Sequence, residues 1–441
     1  MRSRVSELIS RGLRGLRGFN PGNPRNPRLL FVLALLIPAT GVALLQVRNS
    51  KTAAIPTDPA ADLQQKIDTG KVKLEFEPNQ GYLRSLLKNL KIPISSQTLV
   101  FSKSSFDLGL ISPSNPRALY FNDDSYVGWV PPSPIIEIAS VDPKAGAVFY
   151  TLSQEKTSRP KFERKTEECL VCHDTFQAAT QVPRLLMLSV LPNPAGNAIK
   201  AAALITNDES PLRERWGGWY VTGTHGGQRH LGNTIVKAAE SDIDNIKNYV
   251  AKMDLSTGAN VTDLRRWFDT KPYLSAHSDI VALMVLGHQT HVHNLINFAR
   301  YALQSAMREK QDSKTAMDLV KDDVEKIVSA MVFAGEAPLT ESITGTSGFA
   351  SDFVNQGPRD SHGRSLRDLD LKHRLFRYPL SYVIYSKTFD DMPDPIRAYV
   401  TRRLREVLNG QDKSEDFASL SESDREAILG ILQETKPGFF N

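Results

Sequence analysis

An α+β fold is expected, β-rich in the N-terminal half and predominantly helical in the C-terminal half. Two patterns carry it: short β-type runs parted by turns crowd residues 71 to 160, and helical periodicity takes over beyond Asn233. The β-type runs include Val72–Phe76, Tyr126–Val130, Ile135–Ile138 and Ala147–Tyr150, punctuated by Pro-Arg and Ser-Pro pairs. Helices are predicted near 235 to 253, 261 to 268, 278 to 309 and 313 to 334. After a Gly/Ser/Thr-rich connection at 340 to 365, three more are predicted near 369 to 386, 393 to 409 and 421 to 434. Thr315 to Met331 reads as a surface helix with one apolar stripe, and the charged residues from Arg364 to Arg374 as a solvated or salt-bridged face of mixed sign. No internal repeat is visible.

The chain divides into a basic tail (1–28), a membrane anchor (29–47), a linker (48–70), a β-rich region (71–233) and a helical region (234–441). Of 441 residues 41% are apolar and 23% charged, the composition of a folded globular protein. The formal net charge of +5 does not indicate a nucleic-acid partner. Residues 1–28 hold seven Arg and one Glu of the 54 basic and 49 acidic side chains, which leaves 47 basic against 48 acidic in the rest. The tail is followed by LLFVLALLIPATGVALLQV, Leu29 to Val47, which is 19 residues without a charge. As a helix it spans about 29 Å, close to the roughly 30 Å hydrocarbon layer. Pro38 and Gly41 are tolerated in such helices. Arginines on the leading side keep the tail cytoplasmic and export the body, so a single-pass protein of a bacterial inner membrane with its body in the periplasm is expected. A cleaved signal peptide is the alternative, but no clean Ala-x-Ala site follows the apolar run. Residues 48 to 70, with Ile55-Pro56-Thr57-Asp58-Pro59, read as a spacer.

The chemistry concentrates in Cys169-Leu170-Val171-Cys172-His173, which uses both cysteines of the chain at the spacing of c-type haem attachment. Each thiol adds to a haem vinyl group as a thioether, and the adjacent His173 ligates the iron on its proximal side. One covalent haem c is expected. A thioredoxin-type dithiol would want a βαβ context, which Lys165–Glu168 and Asp174–Phe176 do not supply. A zinc site would need ligands from distant histidines. A disulfide between cysteines three apart closes too small a loop to stabilise a chain of this size.

The second axial position separates electron transfer from chemistry at an open iron. Met187, 14 residues beyond His173, is the nearest methionine and reads first as a core residue, with ligation as its alternative role. The run from Arg215 to Asn233 joins Trp216, Trp219 and Tyr220 to a glycine-rich loop bearing His225, Arg229 and His230. Glycines allow a backbone close to a flat ligand, so His225 or His230 is the preferred distal ligand and Arg229 a partner for a haem propionate. A tight turn with surface histidines is the plain alternative. His288 and His291 share one face of a long helix and His293 points to the other side. With no carboxylate near in sequence, structural or hydrogen-bonding roles suit them best. His277 falls near the helix start.

With Tyr120–Asp124, Tyr126–Trp129, the Trp216–Asn233 loop and Arg374–Pro379 added to the haem motif, residues 115 to 437 resemble a bacterial family of exported, membrane-anchored single-haem cytochrome c domain proteins of unestablished function. The resemblance implies covalent haem and export, and supplies no substrate. The absence of a second haem motif sets the sequence apart from two-haem peroxidases. Electron transfer to an unidentified redox partner protein is the expected function; the alternative is a haem-dependent oxidoreductase or small-ligand sensor with an open distal site.

Overall fold

The computed structural model describes residues 57–103, 107–173, 182–243, 245–309 and 312–439, apart from the side chains of residues 167, 171, 172, 201, 202 and 247. The basic tail and the anchor expected over Leu29–Val47 lie outside the described residues. Among those described, no helix is long and apolar enough to cross a membrane.

The architecture is α+β. Strands β1 (Thr98–Val100), β2 (Arg117–Phe121), β3 (Ser125–Trp129), β4 (Ile135–Asp142), β5 (Gly146–Ser153) and β6 (Phe162–Lys165) form an antiparallel meander. A separate hairpin, β7 (Leu188–Pro192) with β8 (Ala198–Ile205), follows. The chain then returns as β9 (Trp219–Tyr220), which closes the β1 edge of the seven-stranded sheet by pairing Val100 with Trp219 and Leu99 with Tyr220. Both faces of this sheet are covered, and the period-2 pattern of the strands shows it. On β5, Ala147 and Phe149 join one apolar core while Val148, Tyr150 and Leu152 join the other.

The second of these cores is roofed by helices α1 (Pro59–Asp68) and α2 (Leu83–Leu90). Helix α1 shortens the spacer expected over 48–70: Ala60, Leu63 and Ile67 recur at helical spacing and are buried against the sheet, and Asp58 caps the helix by accepting from Ala60 and Ala61 N–H. Val72–Phe76, expected as a strand, is irregular, because no neighbouring strand is placed to pair with it. The first core is built on α5 (Ile280–Arg308), with α6 (Ser313–Met331), α9 (Asp394–Leu408) and α10 (Glu422–Thr435) around it. Every residue of α5 from Ile280 to Thr290 is buried. A helix apolar on all sides is one surrounded by protein, and α5 is the axle of the molecule. Helix α3 (Glu167–His173), before β7, carries the cysteine motif.

The helices expected over 235–253, 261–268 and 369–386 shrink to α4 (Ile246–Lys252), to turns, and to a 3₁₀ turn at Tyr382–Tyr385 respectively. The short helices α7 (Phe349–Val354) and α8 (Lys387–Asp390) complete the set. The β-rich and helical parts are not separate domains, since Phe149 of β5 and Ile296 of α5 belong to one core.

Candidate haem-attachment site and its surroundings

Helix α3 places Cys169 and His173 four residues apart, hence on one face. Cys169 packs on the first core; the Cys172 side chain lies outside what the structure describes. His173 Nδ1 donates to the Arg184 carbonyl at 2.6 Å, and its ring leans on Phe149 with centroids 4.5 Å apart. A backbone carbonyl can only accept, so the proton is fixed on Nδ1 and the lone pair on Nε2. Burial pulls this imidazole below its ordinary range, against the opposing pull of the Arg184 carbonyl, and keeps it neutral. A neutral imidazole whose Nδ1–H is held by a carbonyl is the state in which His ligates a metal through Nε2.

Arg184 is itself held in place. Asn294 of α5 treats Leu185 as a neighbouring strand would, accepting from its N–H at 2.8 Å and donating to its carbonyl at 2.7 Å. One turn further along, Asn297 Nδ2 donates to the Pro183 carbonyl at 2.7 Å. The segment from Pro183 to Met187 therefore lies along α5, and at its end the Met187 sulfur rests against Gly287 in the first core. Met187 takes the core position that the sequence suggests first.

His225 and His230 sit elsewhere, in the loop after β9 that meets the start of α5. Thr222 accepts from Ile280 N–H at 2.9 Å, 14 residues before Asn294, which is about 21 Å along the α5 axis. Both histidines are buried, with ring centroids 4.7 Å apart and His230 edge-on to Trp216. His225 Nε2 accepts from Asn260 N–H at 3.0 Å. The contacts of His225 and His230 are with this stack and Asn260, those of His173 with Phe149 and Arg184. Arg229 turns its Nη1 to the carbonyls of Gly226 and Gln228.

No carboxylate lies near the helix histidines in sequence, yet Asp208 meets two of them. Its Oδ2 lies 3.2 Å from His288 Nδ1 and its Oδ1 3.2 Å from His291 Nδ1. His288 Nε2 is 2.8 Å from Ser381 Oγ, and the ring stacks on Phe333 at 4.1 Å. Burial would raise the Asp208 carboxyl, but His288 and His291 hold it well below the usual carboxylate range. Nearby Glu336, half-buried, is pushed up to about 7 by its loss of solvent. Ser381, His288 and Asp208 repeat the order of a hydrolytic triad. Ser381 and His288 are fully shielded from solvent, though, and Ser381 caps the 3₁₀ turn, so the row lacks the access a nucleophile needs. Asn207 and Asp208 are brought to α5 by the turn that follows β8, which sequence spacing does not encode. His293 stands on the opposite side, its Nδ1 3.4 Å from Tyr126 Oη.

Comparison of the chain with protein-family models, curated proteins and solved structures finds no match.

Proposed function

We propose that this protein is a membrane-anchored periplasmic c-type cytochrome that carries one covalent haem on Cys169 and Cys172, ligates its iron through His173, and passes electrons to a partner protein. The single observation that carries the reading is the pairing of the Cys169–His173 motif with the 2.6 Å bond from His173 Nδ1 to the Arg184 carbonyl. Haem, when bound, supplies a one-electron iron couple. The chain's own contribution is positional. Asn294 fixes Leu185, the neighbouring Arg184 carbonyl fixes the imidazole tautomer, and Phe149 fixes the plane of the ring.

The test is porphyrin absorbance in protein from a host competent in c-type maturation, after denaturation and acid extraction. Retained absorbance that Cys169→Ser with Cys172→Ser abolishes is the expected result. Its absence from wild-type protein refutes the assignment. A second reading, a haem oxidoreductase or small-ligand sensor, draws on placement: Met187 is packed in the core, and His225 and His230 are engaged with each other, away from His173. Rapid carbon monoxide binding to the ferrous protein favours this second reading, and an unaltered low-spin spectrum favours the carrier.

A further inference from the structure

Beyond Arg184 the side chains alternate. Leu185 and Met187 turn into the first core, whereas Leu186 and Leu188 are half-buried and belong to no apolar core among the described residues. Burial with a period of two is that of extended backbone, whose successive side chains stand on opposite faces. The hydrogen bonds agree: Asn294 takes both polar groups of the Leu185 main chain, the Met187 carbonyl accepts from Thr206 N–H at 3.0 Å, and β7 begins at Leu188. Across the hairpin Leu188 pairs with Ile205, so the two share a face, and Ile205 is 38% exposed. Leu186, Leu188 and Ile205 thus form an apolar strip on the face turned away from the first core.

The strip starts beside His173. The imidazole donates from Nδ1 to the Arg184 carbonyl, and Leu186 follows two residues on, about 7 Å along extended chain, with Leu188 at about 13 Å. Nδ1 and Nε2 point to opposite sides of the imidazole. A segment that holds Nδ1 therefore stands behind the ring, on the same side of an Nε2-bound porphyrin as the ring itself. Singly exposed apolar residues are ordinary, but contiguous ones beside an attachment motif mark a surface that something apolar covers. The large apolar group that the Cys169–His173 motif brings to this place is a porphyrin.

We propose that Leu186, Leu188 and Ile205 are the surface on which the porphyrin packs on its His173 side, with Leu186 nearest the iron and the Leu188–Ile205 pair toward the rim. This rests on the cytochrome reading above and adds to it the surface that meets the macrocycle. None of the three side chains carries a charge or a lone pair, so the strip gives the iron no ligand. Its contribution is to keep water from that side of the ring. A dry apolar surrounding disfavours the more highly charged ferric state and so raises the reduction potential. The β7–β8 hairpin thereby extends the packing surface beyond the short segment that lies along α5.

The experiment uses full-length protein from a maturation-competent host, with leucine and isoleucine methyls labelled for NMR, reduced and saturated with carbon monoxide so that the iron is diamagnetic. Leu186→Ile, Leu188→Ile and Ile205→Val assign the three sets of signals. The porphyrin ring current is expected to move the Leu186 methyls upfield, out of the ordinary methyl range. Those of Leu188 and Ile205 are expected to move by less, measured against the haem-free Cys169→Ser, Cys172→Ser protein. Leu186→Gln is expected to keep its covalent porphyrin and to show a midpoint potential below wild type, with Ile205→Gln shifted the same way by less. Should Leu186→Gln fail to accumulate, the wild-type methyl spectrum decides alone. Covalent haem with the Leu186 methyls in the ordinary range, or a Leu186→Gln potential equal to wild type, overturns the inference and leaves the cytochrome reading standing. Leu188 and Ile205 methyls at the same positions with and without haem also overturn it, and release the strip to a partner protein. Wild-type protein without porphyrin overturns both.

Discussion

His288 Nδ1 stands 3.2 Å from Asp208 Oδ2 across 80 positions of sequence, and the same carboxylate reaches His291 from its other oxygen. Asp208 thereby ties the turn after β8 to the centre of α5, while Arg215 Nη2 donates to its main-chain carbonyl at 2.8 Å. The first prediction concerns this bridge. Asp208→Asn is expected to lose about 3–5 kcal/mol at neutral pH, as breaking a buried charged pair does. Because the folded carboxyl is depressed, its stabilisation is full above the unfolded value of about 4 and fades as the pH falls below it. His291 has the opposite sign: the Asp208 contact raises it against burial, so its contribution is full below about 6.5 and is lost as the pH climbs through the folded value. Chemical denaturation of wild type, Asp208→Asn and His291→Asn across pH measures both. A wild-type advantage over Asp208→Asn that grows on acidification below pH 4 contradicts the bridge.

The legible parts of this molecule are those written in local periodicity. Helices α5, α6, α9 and α10 follow from apolar spacing, and β3 to β5 from alternation. The Cys169–His173 motif is equally local. What sequence could not give was which distant loop answers which helix face: Asp208 for His288, Asn294 for Leu185, and the commitment of His225 to His230. The helix expected over 369–386 failed for the converse reason. Leu369, Leu375, Phe376 and Leu380 have roughly helical spacing, but the segment is held by long-range bonds, such as Ser381 N–H to the Met331 carbonyl and Leu375 N–H to Glu336, that substitute for helical ones.

The acid limb of stability should register His293. Burial, with the neighbouring His288, brings it down to about 4, so the folded protein holds it neutral while the unfolded chain protonates it near 6.5. Between those values the unfolded state binds more protons, and stability falls as the pH drops. His293→Gln removes that uptake. The slope of unfolding free energy against pH between about 4 and 6.5 should lessen by about 1.4 kcal/mol per unit, one proton's worth. Parallel slopes in the two proteins would show that His293 does not titrate in this way.

Met187 offers a separation between packing and ligation. With its sulfur against Gly287 in the first core, Met187→Ala should cost about 2–5 kcal/mol by leaving a cavity. The absorption spectrum of the surviving folded protein should not change. Loss of the low-spin bands on this substitution would instead make Met187 the distal ligand, and require the Pro183–Met187 segment to leave α5.

The start of α5 is the last point at which a single side chain decides a large structure. Asp279 is fully buried, and its Oδ1 accepts from Val281 and Ala282 N–H at 2.8 and 3.1 Å, as an N-cap does. Its Oδ2 accepts from Thr346 and Ser347 N–H at 2.6 and 2.8 Å, pinning the glycine-rich connection to the helix end. One carboxylate therefore satisfies four main-chain donors. Asp279→Ala leaves them buried and unpaired, and its cost should exceed the roughly 2 kcal/mol upper range of an ordinary cap. Asp279→Asn keeps one oxygen for the helix but turns an N–H₂ toward Thr346 and Ser347, or the reverse, so it should recover only part of the loss. Denaturation midpoints in the order wild type, Asn, Ala are expected, with amide exchange fastest at Thr346 and Ser347 in the Ala variant. If Asn matches wild type, the connection at 345–347 draws its order from other contacts, such as Ser347 Oγ to the Ser95 carbonyl at 2.6 Å.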